Sequence, residues 1–199
     1  MTDVNDPLSE APDEALLVLY ARGDRLAARA LTLRLTPRIL GYAARLLGGD
    51  RAEAEDVTQE AMMRLWRIAP EWRQGEAKVA TWLYRVVTNL CTDRLRARRR
   101  RGGTDTVDDH PELADAAPGV ETRLIAADRM AALEAALAAL PARQREAVVL
   151  RHIEGLGNPE IAVILDIGVE AVESLTARGK RALAALLAGQ RAELVEGEG

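Results

Sequence analysis

The sequence predicts an all-α protein of two small helical domains joined by an acidic linker. Three observations predict it. Of its 199 residues, 48% are hydrophobic, drawn mainly from Ala, Leu and Val with no Phe at all, and the richness in Ala, Leu, Arg and Glu favours helix over sheet. Apolar positions recur at three- and four-residue steps through most of the chain. The exception is residues 102–120, GGTDTVDDHPELADAAPGV, where Gly, Pro and Asp occur without a sustained apolar period.

The elements follow in order. Residues 1–14, polar and acidic, read as a flexible N-terminus, and Asp13 is placed to cap a first helix through Leu16, Leu17 and Tyr20. Asp24 caps a second helix from Arg25 toward Leu35. Pro37 suits the first turn of a third, Arg38 to Leu47, ended by Gly48-Gly49. Asp50 opens the next, in which Ala54, Val57, Ala61, Met62, Leu65 and Trp66 form one apolar stripe from Ala52 to Ile68. Pro70 to Ala77 reads as a loop, after which Val79, Leu83, Val86, Val87 and Leu90 restart helical spacing in a long helix that ends in the arginines 98–101.

Beyond the linker, Met130, Leu133, Leu137 and Leu140 mark a helix stopped by Pro141, and Ala147 to Ile153 belongs to another that closes near Gly155-Leu-Gly157. Asn158-Pro159 supplies a cap and first-turn pair for a short helix through Ile161, Ile164 and Leu165. Asp166-Ile-Gly-Val169 is a tight connection to a long helix with Val172, Leu175, Gly179, Leu183 and Leu186 inward. A short helix, a turn with Gly and a longer helix make a helix-turn-helix pattern. The boundaries expected are 15–101 for the first domain, 102–121 for the linker, 122–189 for the second and 190–199 for a C-terminal tail.

Composition excludes several function classes. Cys91, the single cysteine, forms no intramolecular disulfide, and His110 and His152 lie too far apart in sequence for a recognisable zinc-ligand spacing. Neither a glycine-rich phosphate loop nor a nucleophile elbow is present, so no catalytic residue, metal or cofactor is expected and the chain does not read as an enzyme. No signal peptide or membrane span is expected, and a reducing cytoplasm fits. The formal net charge of −4 hides an uneven distribution: 78–101 holds eight basic residues and one acid, whereas 102–121 holds six acids and no Lys or Arg.

Three constellations bear on function. The first is the helix-turn-helix, whose second helix can enter a DNA major groove: Ser174 and Arg178 face outward, with Lys180 and Arg181 as phosphate partners and Glu170 and Glu173 nearby. The same geometry also serves simply to pack a helical bundle. The second is Trp72, Arg73, Lys78, Arg85 and Asn89, which combine the aromatic surface, cations and base-edge readers that single-stranded DNA requires; Trp66 and Trp82 read as core. The third, Asp56, Gln59 and Glu60 on one outer helix face with Arg64 a turn on, suits a basic helical partner or plain solvation.

Two blocks carry a family resemblance. AEDVTQEAMMRLWRIAPEWRQGEAKVATWLYRVVTNLCTDRLRARRR resembles region 2 of the extracytoplasmic-function (ECF) sigma factors of the sigma-70 family, with its acidic-Asp-x-x-Gln-Glu start and Thr-Trp-Leu helix. LAALPARQREAVVLRHIEGLGNPEIAVILDIGVEAVESLTARGKRAL resembles their region 4. The resemblance implies a region 2 helical bundle and a region 4 helix-turn-helix, with core RNA polymerase, promoter DNA and an anti-sigma factor as partners. It also implies residue roles: Asp56, Gln59 and Glu60 face the polymerase; Trp72, Arg73, Lys78, Arg85 and Asn89 open and read the −10 element; Ser174, Arg178, Lys180 and Arg181 meet the −35 element. The acidic linker would pass toward the RNA path of the polymerase. Where many relatives carry Lys or Arg, Glu173 and Leu175 stand here, and Asn158-Pro159 replaces a more usual helix start. Two acids on the DNA-facing helix also suit a different function, a sigma-like mimic that sequesters an anti-sigma factor.

Overall fold

The computed structural model describes residues 8, 10–73, 75, 78–102 and 120–196, except the side chains of 120–127 and 190–196. The expected linker therefore lies almost wholly outside the described residues, as do 1–7 of the expected N-terminal tail. Eight α-helices are found among the described residues, and no strand: α1 (Asp13–Ala21), α2 (Arg25–Leu46), α3 (Arg51–Ile68), α4 (Val79–Arg100), α5 (Val120–Ala139), α6 (Ala142–Val148), α7 (Asn158–Leu165) and α8 (Val169–Glu196). A 3₁₀ turn, Ala69–Glu71, follows α3, and one wide π turn, Val149–Ile153, follows α6. Helix α1 thus starts inside the segment expected to be flexible, α5 starts within the expected linker, and α8 runs into the expected tail.

Helix α2 corrects the sequence-based expectation of two helices broken at Pro37. Its buried residues Ala27, Leu31, Leu35, Ile39, Tyr42 and Leu46 keep one phase across the proline, so a break would pull half of that stripe off the core. Proline removes the hydrogen bond to the carbonyl four residues earlier. That carbonyl belongs to Leu33, which is 65% exposed, so water can satisfy it. Asp24 caps α2 as expected, accepting from the N–H groups of Leu26 at 2.9 Å and Ala27 at 3.2 Å. Asp13, by contrast, is the first residue of α1 rather than its cap, and its carboxylate pairs with Arg34 at 2.7 Å.

Helices α1 to α4 form an N-terminal lobe with α2 at its centre. Tyr42 is fully buried there, edge-on to Tyr84 at 5.1 Å, with its hydroxyl 2.8 Å from Thr88 Oγ1. The one Thr88 hydroxyl proton is donated to the Tyr84 carbonyl at 2.8 Å, so Tyr42 is the donor in the pair. Burial pushes the Tyr42 phenol well above its ordinary pKa, against the opposing pull of the Thr88 hydrogen bond.

Asp50 joins two elements of the lobe. It caps α3 by accepting from Glu53 N–H at 3.0 Å and pairs with Arg98 near the end of α4. The Glu53 N–H first, and then Arg98, hold its carboxyl below the ordinary carboxylate range. Asp50→Ala is expected to cost about 1–2 kcal/mol, the usual worth of a cap, read as a lower denaturation midpoint. Because the folded pKa is depressed, this contribution is intact above about pH 4 and is lost as pH falls through the folded value, so parent and variant midpoints should converge in acid.

The C-terminal lobe packs α5, α6 and α7 against α8. Its first-turn chemistry shifts by one residue from expectation: Gly157, not Asn158, is the cap of α7, and its N–H donates to Glu160 Oε2 at 3.0 Å. Asn158 and Pro159 are the first two helical residues. Asp166 closes α7 in the left-handed conformation, φ 54°, and so turns the chain sharply into α8. Met130, expected inward, is 53% exposed, whereas Leu137 and Leu140 are buried. Gly179 of α8 lies so close to α6 that a Cβ there would stand 2.5 Å from Val148 Cγ2 and 3.1 Å from the Gln144 carbonyl oxygen.

The lobes also touch one another, through α4 with α7 and through α2 with α5 and α6. Arg145 Nη1 donates to the Leu46 carbonyl at the end of α2 at 2.8 Å, and Arg45 pairs with Glu134 at 3.0 Å.

Candidate functional site

The outer face of α3 holds the first cluster. Its apolar stripe turns Ala54, Val57, Ala61 and Leu65 inward, which leaves Asp56 and Gln59 exposed and Glu60 half-exposed. Glu60 pairs with Arg64 one turn on, and Arg94 of α4 stands 4.0 Å away. Asp56, Gln59, Glu60, Arg64 and Arg67 line a depression of about 400 Å³. Beside it lies an apolar groove floored by Leu40, Met62, Met63 and Trp66. Met63, 51% exposed, was missed by sequence reasoning; its position just off the apolar stripe was the available signal.

The second cluster is on α4 and the turn before it. Arg85 and Asn89, four residues apart, stand exposed on one face of α4 because Leu83, Val87 and Leu90 hold the opposite face in the core. Lys78 immediately precedes the first turn of α4, and its ammonium bonds Glu160 of α7 at 2.8 Å. Arg73 is exposed. Trp72 is only partly exposed and meets Trp82 edge-on at 6.2 Å. Trp66 and Trp82 both pack against the core, as the sequence implies, and Trp66 tilts onto Tyr20 at 4.6 Å. Of the arginine run, Arg98 is tied to Asp50 and Glu53, whereas Arg99, Arg100 and Arg101 are exposed.

Helix α8 carries the third cluster. Ser174, Arg178 and Arg181 lie at four- and three-residue steps and form one exposed stripe. Arg178 Nε reaches back to the Ser174 carbonyl at 3.3 Å. Lys180 is exposed but lies about 200° around the helix from Arg178, on the flank near His152. Partial burial, then Lys180 and Arg151, hold the His152 imidazole below its ordinary pKa. Glu173 accepts from Asn158 Nδ2 at 3.3 Å, so two positions that depart from the expected pattern are bonded to each other. Leu175 is partly buried, packed against the core.

Among the described residues, no group of His, Cys, Asp and Glu is placed to hold a metal ion, and no helix is long and apolar enough to cross a membrane.

The geometry has three polar clusters on two lobes, and comparison with known proteins assigns each lobe. Residues 31–101 match the family model of sigma-70 region 2, and residues 130–183 match that of sigma-70 region 4. The ECF RNA polymerase sigma factor SigM of Mycobacterium tuberculosis is 36% identical over 89% of this chain and 86% of its own length. The chain belongs to the ECF sigma factors of the sigma-70 family.

Other sigma factors give similar matches. The RNA polymerase sigma factor CnrH of Cupriavidus metallidurans is 30% identical over 89% of this chain and 95% of its own. A solved structure of CnrH in complex with the cytosolic domain of CnrY matches with a TM-score of 0.64, 28% identity and coverage of 89% and 97%. The sigma factor RpoE of Bartonella quintana, solved with the anti-sigma factor NepR, has the same fold, with a TM-score of 0.63 at 23% identity over 78% and 93% of the chains. In this ECF sigma factor the region 2 match ends one residue past α4, and the region 4 match includes α6, α7 and the first half of α8.

Proposed function

We propose that this chain binds core RNA polymerase and directs it to promoters by reading a −35 element with α8 and by reading and opening a −10 element with α4 and the turn before it. One observation carries the reading: region 2 and region 4 occur in order in one chain, and each has an exposed polar face, Arg85 with Asn89 on α4 and Ser174, Arg178 and Arg181 on α8. Neither domain is expected to hold duplex DNA tightly by itself. Joining both to one polymerase makes the second contact intramolecular, so the spacing between elements becomes part of the specificity. Strand opening follows from capture of an unstacked base against region 2, whose contacts offset the few kcal/mol or so lost on unstacking.

The α3 cluster is the proposed polymerase face. Asp56, Gln59 and Glu60 present an acidic edge beside the apolar groove at Met63, a pairing suited to a basic amphipathic helix. Asp56→Ala is expected to weaken association with core polymerase about five- to ten-fold while leaving the −35 preference unchanged, checked by titrating labelled protein with core enzyme. An anti-sigma protein as regulator is part of the proposal, supported by the solved complex of the relative CnrH with the cytosolic domain of CnrY.

Run-off transcription with purified core polymerase on a genomic promoter library tests the reading. Discrete new starts that share two spaced upstream elements are expected. Core or anti-sigma binding without any such start would instead favour the mimic, which the carboxylates of Glu170 and Glu173 on α8 suit.

A further inference from the structure

Three of the five residues proposed to meet the −10 element are turned toward the other lobe. Lys78 is bonded to Glu160 at 2.8 Å. Arg85 and Asn89, exposed to water, line a cleft of about 390 Å³ too narrow to be entered freely by a DNA strand, because its opposite wall is Arg143, Ile164, Leu165 and Asp166 of the C-terminal lobe. Between them, Tyr84 of α4 donates its hydroxyl to Glu154, which Arg38 of α2 also approaches at 3.9 Å. The Glu154 side chain is only 8% exposed, so this carboxylate is enclosed by the two lobes rather than resting on a surface.

From this arrangement we infer that the C-terminal lobe is a built-in occluder of the −10 face: Glu154 and Glu160 latch onto Tyr84 and Lys78 and hold the chain closed until the lobes part. The inference rests on the reading of Lys78, Arg85 and Asn89 as −10 contacts. Glu160 neutralises a cation that a DNA phosphate would otherwise meet, and the DNA strand and the carboxylate cannot both occupy it. The far end of the contact is held by Arg45 with Glu134 and by Arg145 with the Leu46 carbonyl. Because both lobes belong to one chain, closure is intramolecular and modest contacts suffice. Polymerase or DNA binding must supply the difference between closed and open forms, so apparent affinity falls by the closed fraction.

The test opens the latch without touching the DNA faces. The first variant carries two changes: Glu154→Ala leaves the Tyr84 hydroxyl and Arg38 without that carboxylate, and Glu160→Gln removes the charge while keeping an oxygen for the Gly157 N–H. A second variant, Arg45→Glu, sets a like charge against Glu134 at the other end of the interface. Each is combined with Thr92→Cys, a partly buried position lining the cleft, and the rate of maleimide labelling is followed. Cys91 contributes little background, since burial pushes its thiol up to about 12.

Labelling at position 92 is expected to accelerate at least about five-fold in both opened variants, with unchanged helical content. Without the Thr92→Cys change, the same variants should half-saturate run-off transcription at several-fold lower protein concentration. Unchanged labelling in both overturns the closed state, and faster labelling with an unchanged half-saturation point overturns its occluding role. If neither parent nor variants initiate anywhere, the promoter reading fails, while labelling still decides whether the latch exists.

Discussion

Gly179→Val is expected to destabilise the C-terminal lobe strongly and to lower −35-dependent initiation while the N-terminal lobe still binds core polymerase. A Cβ at 179 meets Val148 Cγ2 at 2.5 Å and the Gln144 carbonyl at 3.1 Å; Val148 is buried and the carbonyl belongs to the α6 backbone, so neither can step aside cheaply. Glycine inside a helix ordinarily costs up to about 1 kcal/mol relative to alanine, so helix propensity favours replacement. Overpacking of a filled contact costs about 1–3 kcal/mol or more and wins, the more so for a β-branched side chain. The lobe spans 120–196, for which total stability is roughly 4–12 kcal/mol, so the change takes a large fraction of it. Thermal denaturation followed by circular dichroism should show an early second transition; a single transition at the parental temperature would mean that α6 and α8 separate more easily than the contact implies.

Arg178→Ala is expected to lower initiation from a matched promoter about 5- to 150-fold and to erase discrimination between parental and altered −35 sequences. Arg178 stands on the exposed stripe with Ser174 and Arg181, and its side chain bonds the Ser174 carbonyl on its own helix at 3.3 Å. A guanidinium so placed can reach a guanine edge bidentately, a contact worth about 1–3 kcal/mol. Arg181→Ala should behave differently, weakening all sequences alike and reducing the salt dependence by about one phosphate contact. Retained −35 preference in Arg178→Ala, at matched folded concentration, would assign base reading to another residue.

Lys180 separates from that pair for a geometric reason. Two residues along a helix amount to more than half a turn, so Lys180 cannot share the Arg178 stripe and stands instead near His152. On the proposed reading Lys180 would reach a −35 element only from the flank of the groove, whereas Ser174 and Arg181 lie on the same stripe as Arg178. Helix phase alone could have separated them.

Most elements were legible because their signals are local. The stripe from Ala54 to Leu65, the Asp24 and Asp50 caps, and the Asp166 to Val169 turn are set by contacts within a few residues, and each appears where the sequence places it. Pro37 misled because its local meaning, a helix start, lost to a tertiary demand: α2 buries one stripe through it, and the cost falls on an exposed carbonyl. At Asn158-Pro159 the cap moved one residue because the Glu160 carboxylate takes the Gly157 N–H.

By itself, the sequence determined an all-helical chain, the two polar faces and the likeness to sigma-70 regions 2 and 4, since helical period and motif spacing are written in consecutive residues. Only the tertiary structure decided what stands opposite those faces. The bonds of Lys78 to Glu160 and of Tyr84 to Glu154 join residues 82 and 70 positions apart, and the approach of α8 to α6 at Gly179 is a matter of close packing. Such pairings depend on how the helices pack in space, and packing between distant segments leaves no periodic trace in the chain.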